Sequence, residues 1–219
     1  MKKFMLLLLI CMLTKTSVFS QSDKYVKAME DKLAQVEKTG TADGWKDLAN
    51  SFERIADVEK AQWLPYYYAA FSRVMGGYML GNGQAGGFAD KTDPEADKAD
   101  ELINKALSLS GENSEIWCVR KMIATLRMSA DPMSRWQTFG PVAAEALQKA
   151  KQMDPANPRV YLLEGQDKFY TPEQFGGSKS EAKALFEEAL KKFESFKPAS
   201  SIHPAWGASQ ARFFLAQIQ

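Results

Sequence analysis

Outside its first twenty residues this chain has one histidine, His203, and one cysteine, Cys118, and those two counts bound its chemistry. A zinc site needs several nitrogen or sulfur ligands at workable spacing, and His203, in a Ser-Ile-His-Pro-Ala context, has no histidine companion. It reads as a residue at a helix boundary. Cys118 follows Trp117 in an apolar stretch with no basic residue closely before it, so it reads as a small buried hydrophobe rather than a reactive thiol. Ser134, Ser178 and Ser180 lack the strand–turn–helix setting of a nucleophile elbow. Glu187 and Glu188 lie four residues before Lys191 and Lys192, the spacing of solvated helix pairs contributing ~0.2–0.5 kcal/mol each. Asp90, Asp93, Glu95, Asp97 and Asp100 lack the alternation and closing Glu of a calcium loop, and read as a helix start with a solvated face. The glycines between 76 and 87 lack the Gly-Lys-Ser/Thr that cradles phosphate. These residues predict no catalytic group, no metal site and no cofactor. The expectation is a protein that is not an enzyme.

The aromatic residues are the remaining chemistry. Trp63, Tyr66, Tyr67, Tyr68, Phe71 and Tyr78 crowd into 61–79, and a helix there is apolar on more than one side. Adjacent residues on a helix do not share a face, so the three tyrosines diverge. They pack in the core with wet phenol tips, or they turn an aromatic patch toward a ligand.

The elements that position these groups read as helices. The chain has 219 residues and formal net charge +1, which suggests neither a nucleic-acid partner nor a polyanionic tail. Residues 1–20 carry Lys2 and Lys3, an apolar run over 4–13 and a small residue at Ser20, the pattern of a signal peptide. The run is too short to span a membrane well. Removing it takes away Lys2, Lys3 and Lys15 and no acid, so the charge falls from +1 to −2. The expected location is periplasmic or secreted, with lipid attachment at Cys11 as the alternative and no transmembrane segment after cleavage. The mature domain, 21–219, keeps only Cys118 and cannot form an internal disulfide.

Apolar periodicity predicts helices over 22–38, 45–58, 61–79, 94–109, 115–128, 141–153, 157–170, 180–196 and 204–218. Segments 131–140, 171–179 and 198–203 are expected to interrupt them. Three helices share one frame: Ala99-Ile103-Ala106, Ala143-Leu147-Ala150 and Ala182-Phe186-Ala189. Small–large–small positions let a neighbouring helix approach while the large side chain fills the gap. Ala106 to Trp117 and Ala150 to Tyr161 are each 11 positions apart, so the next helix is placed alike after each.

With Pro155 after the second frame, Tyr161 beyond it and Gly165 four further on, the chain resembles the tetratricopeptide-repeat family over about 60–218. The resemblance implies an all-α fold, a right-handed superhelical stack of antiparallel helical hairpins. It departs from the family where Lys121 takes a small position. It also departs in period, 44 residues from Trp117 to Tyr161 and 45 from Tyr161 to Trp206, against 34 for the ideal unit. For function the resemblance implies a non-catalytic protein–protein interaction scaffold of the bacterial cell envelope, holding a peptide or protein on its concave face. Tyr67, Arg73, Arg120, Arg127, Gln166 and Lys168 are the expected contact residues. The alternatives are a structural or assembly role through self-association as a homo-oligomer, and a hydrolase built around His203.

Overall fold

The structure, a computed structural model, describes residues 22–81 and 86–218. Among them are α1 (Asp23–Val36), α2 (Ala42–Val58), α3 (Trp63–Leu80), α4 (Ala89–Ser110), α5 (Ser114–Ala130), α6 (Pro132–Met153), α7 (Pro158–Tyr170), α8 (Lys179–Ser195) and α9 (Ala208–Ala216). A single 3₁₀ turn, Glu173–Phe175, separates α7 from α8, and no strand occurs among the described residues. The all-α expectation holds. The expected leader, 1–20, with Cys11, lies outside the described residues. No helix among them is long and apolar enough to cross a membrane.

Local chemistry starts most of the helices. Ser22, Thr41, Asn113, Asn157 and Ser178 each accept a backbone N–H from two or three residues on, satisfying a donor the first turn leaves free. Two helices begin earlier than periodicity predicts. α4 starts at Ala89 with Pro94 inside it, and α6 starts at Pro132 with Pro141 inside it. Each internal proline removes one backbone bond. Tertiary contacts hold the extended part of α6 in place. Arg135 donates two hydrogen bonds to Asp93 on α4, at 2.7 and 2.8 Å, and a third to the Arg127 carbonyl. The Arg135 guanidinium in turn holds Asp93 below the usual carboxylate range.

Helices pack chiefly on their sequence neighbours: α2 on α3, α3 on α4, α5 on α6, α7 on α8 and α8 on α9, with α3, α5 and α7 also touching in succession. All nine residues of the three small–large–small frames are buried. Two glycines permit close approach. A Cβ on Gly77 of α3 would lie 2.5 Å from Leu126 of α5, and one on Gly165 of α7 would lie 2.6 Å from the Phe186 ring of α8.

One buried polar network joins these layers. The Arg159 side chain, at the start of α7, has no solvent exposure. Its guanidinium donates to both oxygens of Glu115 on α5, from Nε at 2.9 and 2.8 Å and from Nη2 at 2.6 Å. Nη1 donates to the Trp206 carbonyl. Glu115 also accepts from Asn157 Nδ2 and from the Tyr67 hydroxyl of α3. The Trp206 indole N–H donates to that same hydroxyl at 2.9 Å. Ser114, which accepts from Asn157, donates its hydroxyl to the Ala150 carbonyl of α6. Burial works against the Arg159 charge, and Glu115 more than offsets it.

Removing one partner of such a buried pair leaves an uncompensated charge and costs about 3–5 kcal/mol. Arg159→Met should therefore destabilise the protein by that amount in urea unfolding, and far more than the double variant Arg159→Met/Glu115→Leu. Equal losses in the two proteins would show that the network itself is not what holds the layers. At Gly165→Ala the added methyl meets an aromatic ring, and a loss of about 1–3 kcal/mol is expected. An unchanged melting temperature would mean that Phe186 moves aside freely.

Candidate functional site

The six residues expected to line a groove are, for the most part, already engaged with the protein's own side chains. Tyr67 is fully buried within the network above. Arg73 is held by Glu53 at 2.6 Å, Glu95 at 3.2 Å and Asn50 at 2.7 Å. Arg120 donates to Asn104 and lies over the Trp117 ring. Arg127 pairs with Asp97 at 2.8 Å and Asp100 at 2.6 Å. These arginines bind α3 and α5 to α2 and α4, so the acids expected to form a solvated face on α4 are largely paired. Gln166 is partly exposed on α7, and Lys168 reaches Glu181 at 2.6 Å and the Gly176 carbonyl.

The tyrosine run of α3 resolves toward core packing. Tyr67 and Tyr68 are buried, with Tyr68 stacked on Phe52, while Tyr66 is half-buried and donates to the Ala56 carbonyl. Burial and the nearby Glu115 push the Tyr67 phenol far up, so it stays protonated. Cys118 is buried, as expected, and the same two causes raise its thiol out of the reactive range.

His203 lies in the connection between α8 and α9. Its Nδ1 is 2.7 Å from Ser200 Oγ, and its ring meets the edge of Trp63. It opens on a crevice of about 140 Å³ between the end of α1 and this connection, well below the usual size of a small-molecule site. A larger hollow of about 490 Å³ lies beside Tyr66 and Leu102, with Glu101, Asn104, Lys105 and Ser108 also lining it. No group of three His, Cys, Asp or Glu side chains among the described residues is placed to hold a metal ion.

An exposed aromatic surface lies at the other end of α7, where Tyr170 is 70% exposed and Phe213 60%; Phe175, in the turn after α7, is 75% exposed, and Trp136 on α6 is 57% exposed. The rings of Tyr170 and Phe213 meet a cluster centred on Phe214, mostly edge to face. Phe214 lies 5.8 Å from Tyr170, 5.5 Å from Phe213, 5.2 Å from Phe169 and 5.1 Å from Phe186, the last pair nearly parallel. Tyr78 of α3 donates to the Met122 carbonyl, and burial, then Asp167 and Tyr170, push its phenol up. Sequence periodicity placed Phe213 and Phe214 in one helix but gave no sign of which would be covered. Tyr170 and Phe175 fell at the end of a helix and in a loop, where periodicity has no bearing.

The described residues form an all-helical protein with exposed rings at one end of α7. No known family's profile matches the chain, and no curated protein matches it. Among solved structures it is similar to the HusA haemophore from Porphyromonas gingivalis, with 34% identity, a TM-score of 0.78, and cover of 91% of this chain and 95% of that one. The chain belongs to the family of that haemophore. This overturns the tetratricopeptide-repeat resemblance, and with it the reading as a protein–protein scaffold. The small–large–small frames are real packing features, but any closely packed helix pair needs them, so they do not single out one repeat family. The expectations that the protein is not an enzyme and that it is periplasmic or secreted stand with haemophore membership.

Burial pushes the His203 imidazole below its ordinary value, and Glu115 pulls it partly back. As pH falls the unfolded chain binds this proton first, so His203 subtracts stability once pH drops below about 6.5. In thermal melts from about pH 7.5 to about pH 5, the wild type should lose stability relative to His203→Gln over that window. Parallel curves would show an imidazole that titrates alike in both states.

Proposed function

We propose that this protein binds haem and carries it outside the cytoplasm, as the name haemophore says of its relative. The observation that carries this reading is the 34% identity over 91% of the chain. The exposed rings of Tyr170, Phe175 and Phe213 support it at the level of residues. Haem here is cargo. It is a broad, flat, largely apolar macrocycle, and it suits a surface of ring faces backed by a rigid aromatic layer. His203 faces another part of the molecule, toward Trp63 and the end of α1. Recognition on this surface is through the macrocycle. Residues 1–20 serve as the export leader in this reading. The finer architecture, a right-handed superhelical stack, is supported by the successive contacts of α3, α5 and α7, which would give the aromatic surface a curved bed.

Aromatic contacts contribute about 0.5–1.5 kcal/mol each beyond the area they cover, so losing two should weaken binding about tenfold or more. Soret-band titration of haem into the wild type should saturate. Tyr170→Ala/Phe213→Ala should raise Kd by at least that factor with little change in melting temperature. An unchanged Kd would remove this surface as the site, and no saturable Soret shift in the wild type would remove the function.

A further inference from the structure

Lys179 is a cation held at the rim of the aromatic surface. Its ammonium donates to the Phe169 carbonyl at 2.9 Å and lies 3.1 Å from the centre of the Phe169 ring. That ring meets Tyr170 at 5.1 Å and Phe214 at 5.2 Å, so the charge borders the rings assigned above to the macrocycle. The side chain is exposed, and no carboxylate among the described residues lies within ion-pair distance of it. Two other lysines of this part of the chain are paired, while Lys183, one turn on, is like Lys179 in having no ion pair among the described residues. Lys168 is paired with Glu181, which thereby spends the acid two residues beyond Lys179, and Lys192 is paired with Glu188. An ammonium has three donors, and the described residues use one of them as a hydrogen bond here.

An anchored cation with spare donors beside a flat apolar surface is the complement of a flat apolar molecule with carboxylates on one edge. Haem has that form, because its two propionates project from one side of the ring. We infer that Lys179 binds a haem propionate and so fixes which edge of the macrocycle lies toward the start of α8. This assignment rests on the haem-binding reading and adds an orientation and a specificity to it. The lysine discriminates porphyrins by their peripheral carboxylates, while Tyr170 and Phe213 are indifferent to them.

The test compares haem with its dimethyl ester, in which both propionates are capped. Binding of each to the wild type, Lys179→Gln and Lys179→Arg is followed by Soret titration at low salt. The glutamine variant should bind haem about two- to fivefold more weakly and the ester as the wild type does. The arginine variant should restore most of the difference. Equal weakening toward both ligands would mean that Lys179 only supports the Phe169 ring, and no weakening toward either would mean that the propionates lie elsewhere. Both results overturn the assignment while leaving haem binding in place. Failure of the wild type to bind either ligand would overturn the haem reading and the assignment together.

Discussion

The buried pair of Arg159 and Glu115 is the constraint on which the other helices depend. Neither charge can go to water without opening the interior, and each is satisfied only when several elements are docked at once. Glu115 comes from α5, Arg159 and Asn157 from the start of α7, Tyr67 from α3, and the Trp206 carbonyl and indole from the approach to α9. Phe196 lies against the guanidinium at 4.6 Å, which adds the end of α8. Hydrophobic burial alone would allow helices with such similar small-residue faces to slide against one another. A directional network with fixed partners selects one register.

That register determines what remains outside. With Trp206 tied to Tyr67 and to Arg159, α9 packs on α8, and Phe214 reaches Phe169 and Tyr170 at the end of α7. Phe214 then stacks on Phe186, and its neighbour Phe213 is left facing solvent. The aromatic surface is thus a consequence of how the last helix is anchored, some way from the network that anchors it. Gly165 acts in the same direction. By letting the Phe186 ring lie against α7, it leaves that ring nearly parallel to Phe214.

Much of the fold was legible in the sequence because the signals for it are local. Apolar periodicity announced the helices, and the alanine frames announced close packing. The lost prediction at 131–140 shows the limit. That segment read as an interruption with the helix starting at Pro141, yet Arg135 finds Asp93 across 42 positions and holds a helix there. The network was less legible, although a trace of it was present. Glu115 and Arg159 each sit two residues before the aromatics, Trp117 and Tyr161, whose equal spacing was visible. Opposite charges at equivalent first-turn positions of two similar helices are a usable sign of a buried pair. The family was misread for a physical reason: short motifs of small and large residues report interhelical distance, and many helical families need the same distance. The surface was least legible, since period reveals a face but not whether another element covers it.

The two aromatic groups therefore play opposite parts. In α3, Tyr67, Tyr68 and Phe71 are covered on all sides and their rings fix the interior. At the far end Tyr170, Phe175 and Phe213 keep most of their surface in water, which folding alone would not favour. Removing apolar area from water is worth roughly 25 cal/mol per Å², and part of any such gain goes to immobilising the ligand. A rigid layer of Phe169, Phe186 and Phe214 beneath the exposed rings reduces the further cost of ordering the surface. The apolar area left uncovered by folding is then available to a flat ligand, at a place where the backbone does not have to move to receive it.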